Sequence, residues 1–439
     1  MRRIAESTID PRLFENRNVA LFEDEVSEVN LYPLNVLRPS SEIRCGMGCL
    51  RDWIRELVDE ARIAHRYRAQ FDANYAHTTW QKKHVLDSSI QTIFINSRLI
   101  GVWGAESSNK DLNNQTIIDE SGLPLIAVRD ASQAQDLLKL PGTVLAASLV
   151  QGIEAIPAEK SGWTIKYADY IWDYMIHNPG LLMRQLKSGE KGENICGAHA
   201  LREDVIGIDI IGDHPLYVSK HVRLWPGSVI STENGPIWIG EGTEIEPHCF
   251  LKGPLYLGEE NRIKAGARLY GGSSFGPHCR LAGEISQSVF QGHVNKQHDG
   301  FIGNSILGQW VNLGADTTCS NLRNDYGTIP MKVSGKLVES GERFIGLIAG
   351  DHTKTGIHTM FNTGTVVGIG ANVYGDDFPP RHIPSFAWGG RRGFRHVPFE
   401  RTLEAARIAA SRRGQEISEF EASLMLNEYK KMTKQETND

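Results

Sequence analysis

The chain has 439 residues, 40% of them hydrophobic, which is enough for two or three domains with real cores. Its 47 basic and 53 acidic residues leave a net charge of −6, without the basic surplus of a general nucleic-acid binder. No stretch is apolar enough to span a membrane, residues 1–18 are too polar for a signal peptide, and six cysteines without a CxxC pair read as reduced thiols of a cytoplasmic protein.

Residues 19–22 predict a first strand ending at Glu23 and Asp24. A turn-rich stretch follows, and residues 49–68 predict an amphipathic helix with Leu50, Ile54, Leu57, Val58 and Ala61 on one face. Residues 92–95, 125–128 and 142–147 predict further strands. Short apolar strands alternating with helices imply an α/β domain over residues 1–160 with a mostly parallel sheet. Residues 167–185 predict a helix broken at Asn178-Pro179-Gly180, inside a helical linker at 161–196.

The pattern then changes. Ile239, Ile245, Leu251, Leu257, Ile263, Leu269, Phe275 and Leu281 recur every six residues, and Gly240, Gly258 and Gly276 follow three of them. A helix repeats near 3.6 and a strand near 2, so a period of six needs a corner after each short strand. That predicts a left-handed parallel β-helix of hexapeptide repeats, with the spaced residues aimed at one axis. Glycine after the inward residue permits the corner backbone. Val218, Leu224 and Ile230 keep the same step, as do Phe301, Leu307 and Leu313, and Ile345, Ile357 and Ile369 keep a multiple of it. The β-helix domain is placed at residues 197–390, with a loop between Asn321 and Glu342. The last segment, 391–439, predicts a helical tail interrupted at Gly414 and packing through Ile417, Phe420 and Leu424.

The stretch from His298 to Asp325 carries a more specific pattern. An aromatic residue, Phe301, lies three residues after His298, Asn312 lies fourteen after it and opens an Asn-Leu-Gly-Ala run, and Thr317 precedes Asn321 by four. This spacing resembles the acetyltransferase half of the bifunctional glucosamine-1-phosphate acetyltransferase and N-acetylglucosamine-1-phosphate uridylyltransferase family. The resemblance implies that His298 is the general base for a sugar amine attacking acetyl-CoA. The chemistry suits an imidazole, whose ordinary pKa lies near working pH. It implies that Asn312 and Phe301 hold the amino sugar and that Lys332 meets its phosphate. Ala315, Asn321 and Thr363 fall on the acetyl-CoA side, and Arg391 and Arg392 could meet CoA phosphates. Phe301 stands where the family has tyrosine and Asp316 where it has glycine, so a sugar-binding hydroxyl is missing. His293, five residues earlier in Gln-Gly-His, competes with His298 for the base.

At the N-terminal end, Arg38-Pro39, Glu42, Arg44 and Gly46 resemble the Arg-Pro, Arg-x-Gly element of an alternate sugar nucleotidyltransferase family. The ordinary glycine-rich phosphate loop is absent. Two neighbouring arginines can clamp a triphosphate, so Arg38, Arg44 and Gly46 are the nucleotide-binding candidates. The family's Mg²⁺-holding aspartate is replaced by Asn96, a weak ligand for a hard cation, with Glu23 and Asp24 the nearest carboxylates; the metal ligands are not assigned.

The resemblance implies acetyl transfer to an amino-sugar 1-phosphate, then nucleotidyl transfer from UTP with Mg²⁺ if the N-terminal domain is active. It implies sugar-phosphate and nucleotide partners, a homotrimer, and no nucleic acid or membrane. The open alternatives are a nucleotidyltransferase whose coil only trimerises it, an acetyltransferase with a degenerate N-terminal domain, and a non-catalytic scaffold.

Overall fold

The computed structural model describes residues 1–72, 86–104, 112–188 and 207–436. The end of the expected linker, with Cys196, and the expected first coil residues lie outside them. The chain divides into two compact units: residues 1–31, 38–43 and 48–173 form the first, and 32–37, 44–47 and 174–439 the second.

In the first unit the apolar runs form β1 (Arg17–Phe22), β2 (Ile63–Arg66), β3 (Gln91–Asn96), β4 (Leu99–Gly104), β5 (Thr116–Ile118), β6 (Pro124–Arg129), β7 (Ala155–Pro157) and β8 (Trp163–Tyr167). The main sheet has the order β2-β1-β3-β6-β5-β7, and β4 pairs with β8. The sheet has the expected parallel majority: β1 runs parallel to β2 and β3, and β5 to β7, while β6 is antiparallel to both β3 and β5. The reason lies in the link between β5 and β6, where Asp119 Oδ1 accepts from the N–H groups of Ser121 and Leu123, each at 2.8 Å. A link that short closes a hairpin and cannot make a crossover.

Two expectations change. The first helix covers only Leu50–Leu57, because Asp59 caps a new turn through Ala61 N and Ile63 begins β2. Gly142–Ser148 is a helix, not a strand, and buries Leu145 and Ala146. A glycine opens it because a Cβ there would lie 2.5 Å from the Arg66 carbonyl oxygen.

The second unit is a parallel β-helix. One face stacks nine strands from Leu216–Val218 to His382–Ile383. A second begins with Arg223–Leu224 and reaches Asn295–Lys296, continuing through bridges from Asn295 to Asn312 and Asn312 to Lys354. The third runs from Asp209–Ile211 to Phe301–Gly303. All eight residues of the six-residue run are fully buried in one core. Each large aliphatic side chain buried in this way contributes about 1.5–3 kcal/mol.

The outlying phases differ. Ile302 rather than Phe301 points inward, stacked on Ile285, and Ile357 is 68% exposed at a corner. Missing corner residues shorten some rungs, and the strict count of six then slips by one. The role of the three glycines also differs. None of them has a positive φ; a Cβ on Gly240 would lie 2.5 Å from the Gly258 backbone, so they permit close stacking of rungs. The left-handed corner positions are held instead by residues such as His248, His278, His293 and His352.

The helix Asp173–Ser188 continues through Pro179 without the expected break. Asn178 is fully buried beside it: Oδ1 accepts from Gly46 N at 2.7 Å and Ser274 Oγ at 3.0 Å, and Nδ2 donates to the Gly272 carbonyl at 2.8 Å. These tertiary bonds hold the turn that proline weakens. The tail forms two helices, Phe399–Ser411 and Glu419–Glu436, with Tyr429 against Phe386 and Glu428 accepting from Ser385 Oγ at 3.0 Å. The loop after Asn321 carries a hairpin, Pro330–Val333 with Lys336–Glu339.

Candidate active site on the coil

Three successive corners stack around His298. The first, at residues 297–300, joins the strands Asn295–Lys296 and Phe301–Gly303. Gly300 there has φ +110°, and a Cβ on it would lie 2.2 Å from the Thr317 carbonyl oxygen, so the first corner abuts the second. The second corner, at residues 314–317, joins the third, at 356–359, through His358, whose N–H donates to the Ala315 carbonyl at 2.7 Å and whose Nδ1 lies 3.5 Å from Asp316 Oδ2.

The His298 ring is exposed and has no hydrogen bond among the described residues. Its backbone is fixed from below. Lys296 is 1% exposed, and its Nζ donates to the carbonyls of His298, Asp299 (2.9 Å) and Ala282 (3.2 Å). Burial pushes this ammonium down to about 8, against the attraction of Asp299 and Asp316.

Asn312 lies on the adjoining face. Its Oδ1 accepts from Asn295 Nδ2 at 2.6 Å, and its N–H donates to the Thr353 carbonyl at 2.9 Å. The Ala315 N–H has no acceptor among the described residues. Thr317 Oγ1 and Thr355 Oγ1 lie 2.7 Å apart and tie the two corners together. Beyond the His298 turn, a Cβ on Gly303 would meet the Phe301 ring at 2.5 Å and Asn321 Nδ2 at 2.7 Å, so ring and amide share one patch. Asn321 Nδ2 donates to Asn304 Oδ1 at 2.7 Å, and Asn304 Nδ2 to Gln287 Oε1 at 3.1 Å.

The competing His293 has a different setting. Its ring is stacked between His278 (4.9 Å) and Trp310 (4.0 Å), and its Nδ1 is buried without a partner. Burial, with His278 and Arg413 nearby, pushes it down to about 4, so it is a weak base. Lys332 is on the hairpin, exposed, and its field reaches His382. Thr363 is 1% exposed, with Oγ1 3.5 Å from Arg381 Nη2. Arg391 and Arg392 pair with Asp377 and Asp376.

The N-terminal motif is divided. Arg38 belongs to the first unit and is buried, whereas Arg44 and Gly46 belong to the second. Arg44 Nη1 donates to the Met47 carbonyl at 2.6 Å, and the Gly46 N–H is taken by Asn178.

The carboxylates after β1 do not fit a divalent cation. Glu23 accepts from Ser40 and Arg68. Asp24 accepts from Ser27, Asn96 and Arg98. Arg98 is fully buried, and its guanidinium also pairs with Asp119 and Asp169 (2.9 Å). A guanidinium fills the place between these carboxylates at the end of β3, and no group of three or more metal-binding side chains occurs among the described residues.

Sequence reasoning did not single out Lys296, Asn295 or Asn304. A lysine inside a polar turn looks like a solvated side chain; only the tertiary fold shows that it is buried.

A family model described as sugar nucleotidyl transferase matches residues 19–193. The chain is 32% identical over 128 residues to a bifunctional sugar-1-phosphate nucleotidylyltransferase/acetyltransferase of Sulfurisphaera tokodaii, covering 29% of this chain and 28% of that one. It is 33% identical over 144 residues to the bifunctional protein GlmU of Methanococcus aeolicus, covering 31% and 35%. The matched stretches therefore span about a third or less of these relatives. Among solved structures, an Arabidopsis UDP-N-acetylglucosamine acyltransferase aligns with TM-score 0.28 and 13% identity over 48% of this chain and 78% of that one.

Fold and sequence define a sugar nucleotidyl transferase domain followed by a hexapeptide-repeat β-helix. Over these stretches the chain is similar to sugar nucleotidyl transferases and to the bifunctional nucleotidylyltransferase/acetyltransferases.

Proposed function

We propose that the chain is a cytoplasmic transferase that acetylates an amino-sugar 1-phosphate with acetyl-CoA and couples the product to a nucleotide from UTP. In the first step the sugar amine nitrogen attacks the thioester carbonyl carbon. His298 Nε2 or Nδ1 takes the amine proton, the C–S bond breaks, and the CoA sulfur leaves with a proton returned by the imidazole. The Ala315 N–H, without an acceptor among the described residues, donates to the oxyanion that forms on the carbonyl oxygen. Asn312 and Phe301 orient the sugar, and Asn321 lies beside Phe301 toward the acyl donor.

The observation that carries this reading is the exposed His298 ring on a turn whose carbonyls are gripped by a buried ammonium, with contacting corners that present Asn312 and an unpaired Ala315 N–H. The stacked, acid-shifted His293 supports His298 as the base. The test is CoA release from acetyl-CoA and glucosamine 1-phosphate, read with a thiol reagent. His298→Ala should lower kcat by about a hundredfold or more, with His293→Gln much milder. An undiminished rate in the His298 variant sinks the assignment.

The nucleotidyl step draws on the family match over residues 19–193 and on the activities for which the relatives are named. Glu23 and Asp24, the carboxylates after β1, are fully engaged by protein donors and do not fit Mg²⁺. A trimer, with a mass of about three times 48.9 kDa by light scattering, is the expected assembly.

A further inference from the structure

We infer that Arg262, Arg280, Arg412 and Arg413 form a binding site for a phosphate-bearing anion, on the coil face below Asn295. Arg262 and Arg280 lie directly opposite each other in neighbouring parallel strands. The turn between the two tail helices brings Arg412 and Arg413 to the same place, where Arg413 Nη1 donates to the His278 carbonyl at 3.3 Å. Like charges set opposite each other across strands are destabilising. Arg280 and Arg413 are also half-buried. None of the four has an ion pair among the described residues.

The surrounding basic groups are neutralised. Arg223 pairs with Glu244, Lys264 with Glu246, Arg268 with Glu284 and Arg407 with Glu419. Glu246 is the carboxylate whose field overlaps that of Arg262, but its oxygens are taken by Lys264 and Ala265 N. Burial, then the mutual fields of these arginines, depresses both Arg280 and Arg413. Charge is therefore paired around the patch and left concentrated within it. Guanidinium forks match phosphate oxygens two at a time, so the complementary ligand carries at least two negative charges on phosphoryl groups. The patch is separate from the acetyl-transfer residues and does not depend on which sugar they accept.

The experiment is thermal unfolding and calorimetric titration of the full chain with inorganic pyrophosphate, against sodium chloride of equal ionic strength. Wild type should be protected by pyrophosphate beyond the salt control. Arg280→Gln/Arg413→Gln should bind at least about tenfold more weakly and, without ligand, melt no lower than wild type. Arg407→Gln should bind as wild type does. If the double variant fails to fold, the exposed Arg412→Gln carries the binding test. Titration with adenosine 3′,5′-bisphosphate separates the sources: tighter binding than pyrophosphate assigns the site to a nucleotide-borne phosphate, weaker binding to the free anion. No protection beyond sodium chloride, or equal binding by the double variant, overturns the inference.

Discussion

Lys296 places a charged amine inside the coil wall, two residues before the proposed base. Three carbonyls surround it, two of them in the His298 turn. An ammonium that grips a turn in this way fixes the direction of the imidazole without touching substrate, so it is a positioning residue. Misplacing a reacting group by about 1 Å costs on the order of a hundredfold in rate. Lys296→Met should therefore lower kcat for acetyl transfer by roughly ten- to a hundredfold, leave KM for acetyl-CoA nearly unchanged, and be partly rescued by Lys296→Arg. The depressed pKa adds a second readout. The ammonium persists below about pH 8 and is lost above it, so the wild-type kcat profile should bend down there and the Met variant should lack that limb. At this scale the placement of His298, Phe301 and Asn312 on neighbouring rungs was legible because their spacing survives in a linear string. Lys296 was not, because a buried cation and a solvated one look the same in sequence. Thr363 shows the converse: its place in the late coil suggested a ligand contact, while the fold buries it beside Arg381.

At the level of elements, the six-residue period announced the coil, since no other regular structure returns a side chain to one axis at that interval. Short apolar runs carried less information. Residues 142–147 suit either a buried strand or a helix face, and only the close approach of Gly142 to the Arg66 carbonyl resolves it. Proline at 179 signalled a break that the tertiary bonds of Asn178 override. Removing those bonds gives a direct check. Asn178→Ala leaves the Gly46 N–H and Gly272 carbonyl unpaired in the interior and should cost about 2–4 kcal/mol in denaturant unfolding. The ring ladder of His278, His293 and Trp310 makes a pH-dependent contribution. His293 is held neutral down to about 4, below the ordinary 6.5 of a histidine, whereas the unfolded chain takes the proton nearer 6.5. Stability is thus full above about pH 6.5 and falls as the pH drops toward 4. After discounting for its part exposure, the loss should be roughly 2 kcal/mol, and His293→Gln should flatten it.

For the molecule as a whole, the question is whether two chemistries run on one chain. The proposed acetyl-transfer groups all belong to the second compact unit, while the family match to sugar nucleotidyl transferases covers residues 19–193 and so includes most of the first. Substitutions in one set should therefore leave the other reaction intact. His298→Ala should abolish CoA release yet release pyrophosphate from UTP and N-acetylglucosamine 1-phosphate at the wild-type rate. The buried Arg98 cluster supplies the reciprocal variant. Arg98→Met strands Asp24 and Asp119 without a counter-charge, which typically costs about 3–5 kcal/mol, and should depress pyrophosphate release while acetyl transfer persists. Parallel assays of both products on the two variants decide the matter. Coincident loss of both activities in His298→Ala would show one site rather than two. Wild-type protein that transfers acetyl but never releases pyrophosphate, at any Mg²⁺ concentration, would mark the first unit as a degenerate nucleotidyltransferase whose carboxylates are held by the guanidinium of Arg98.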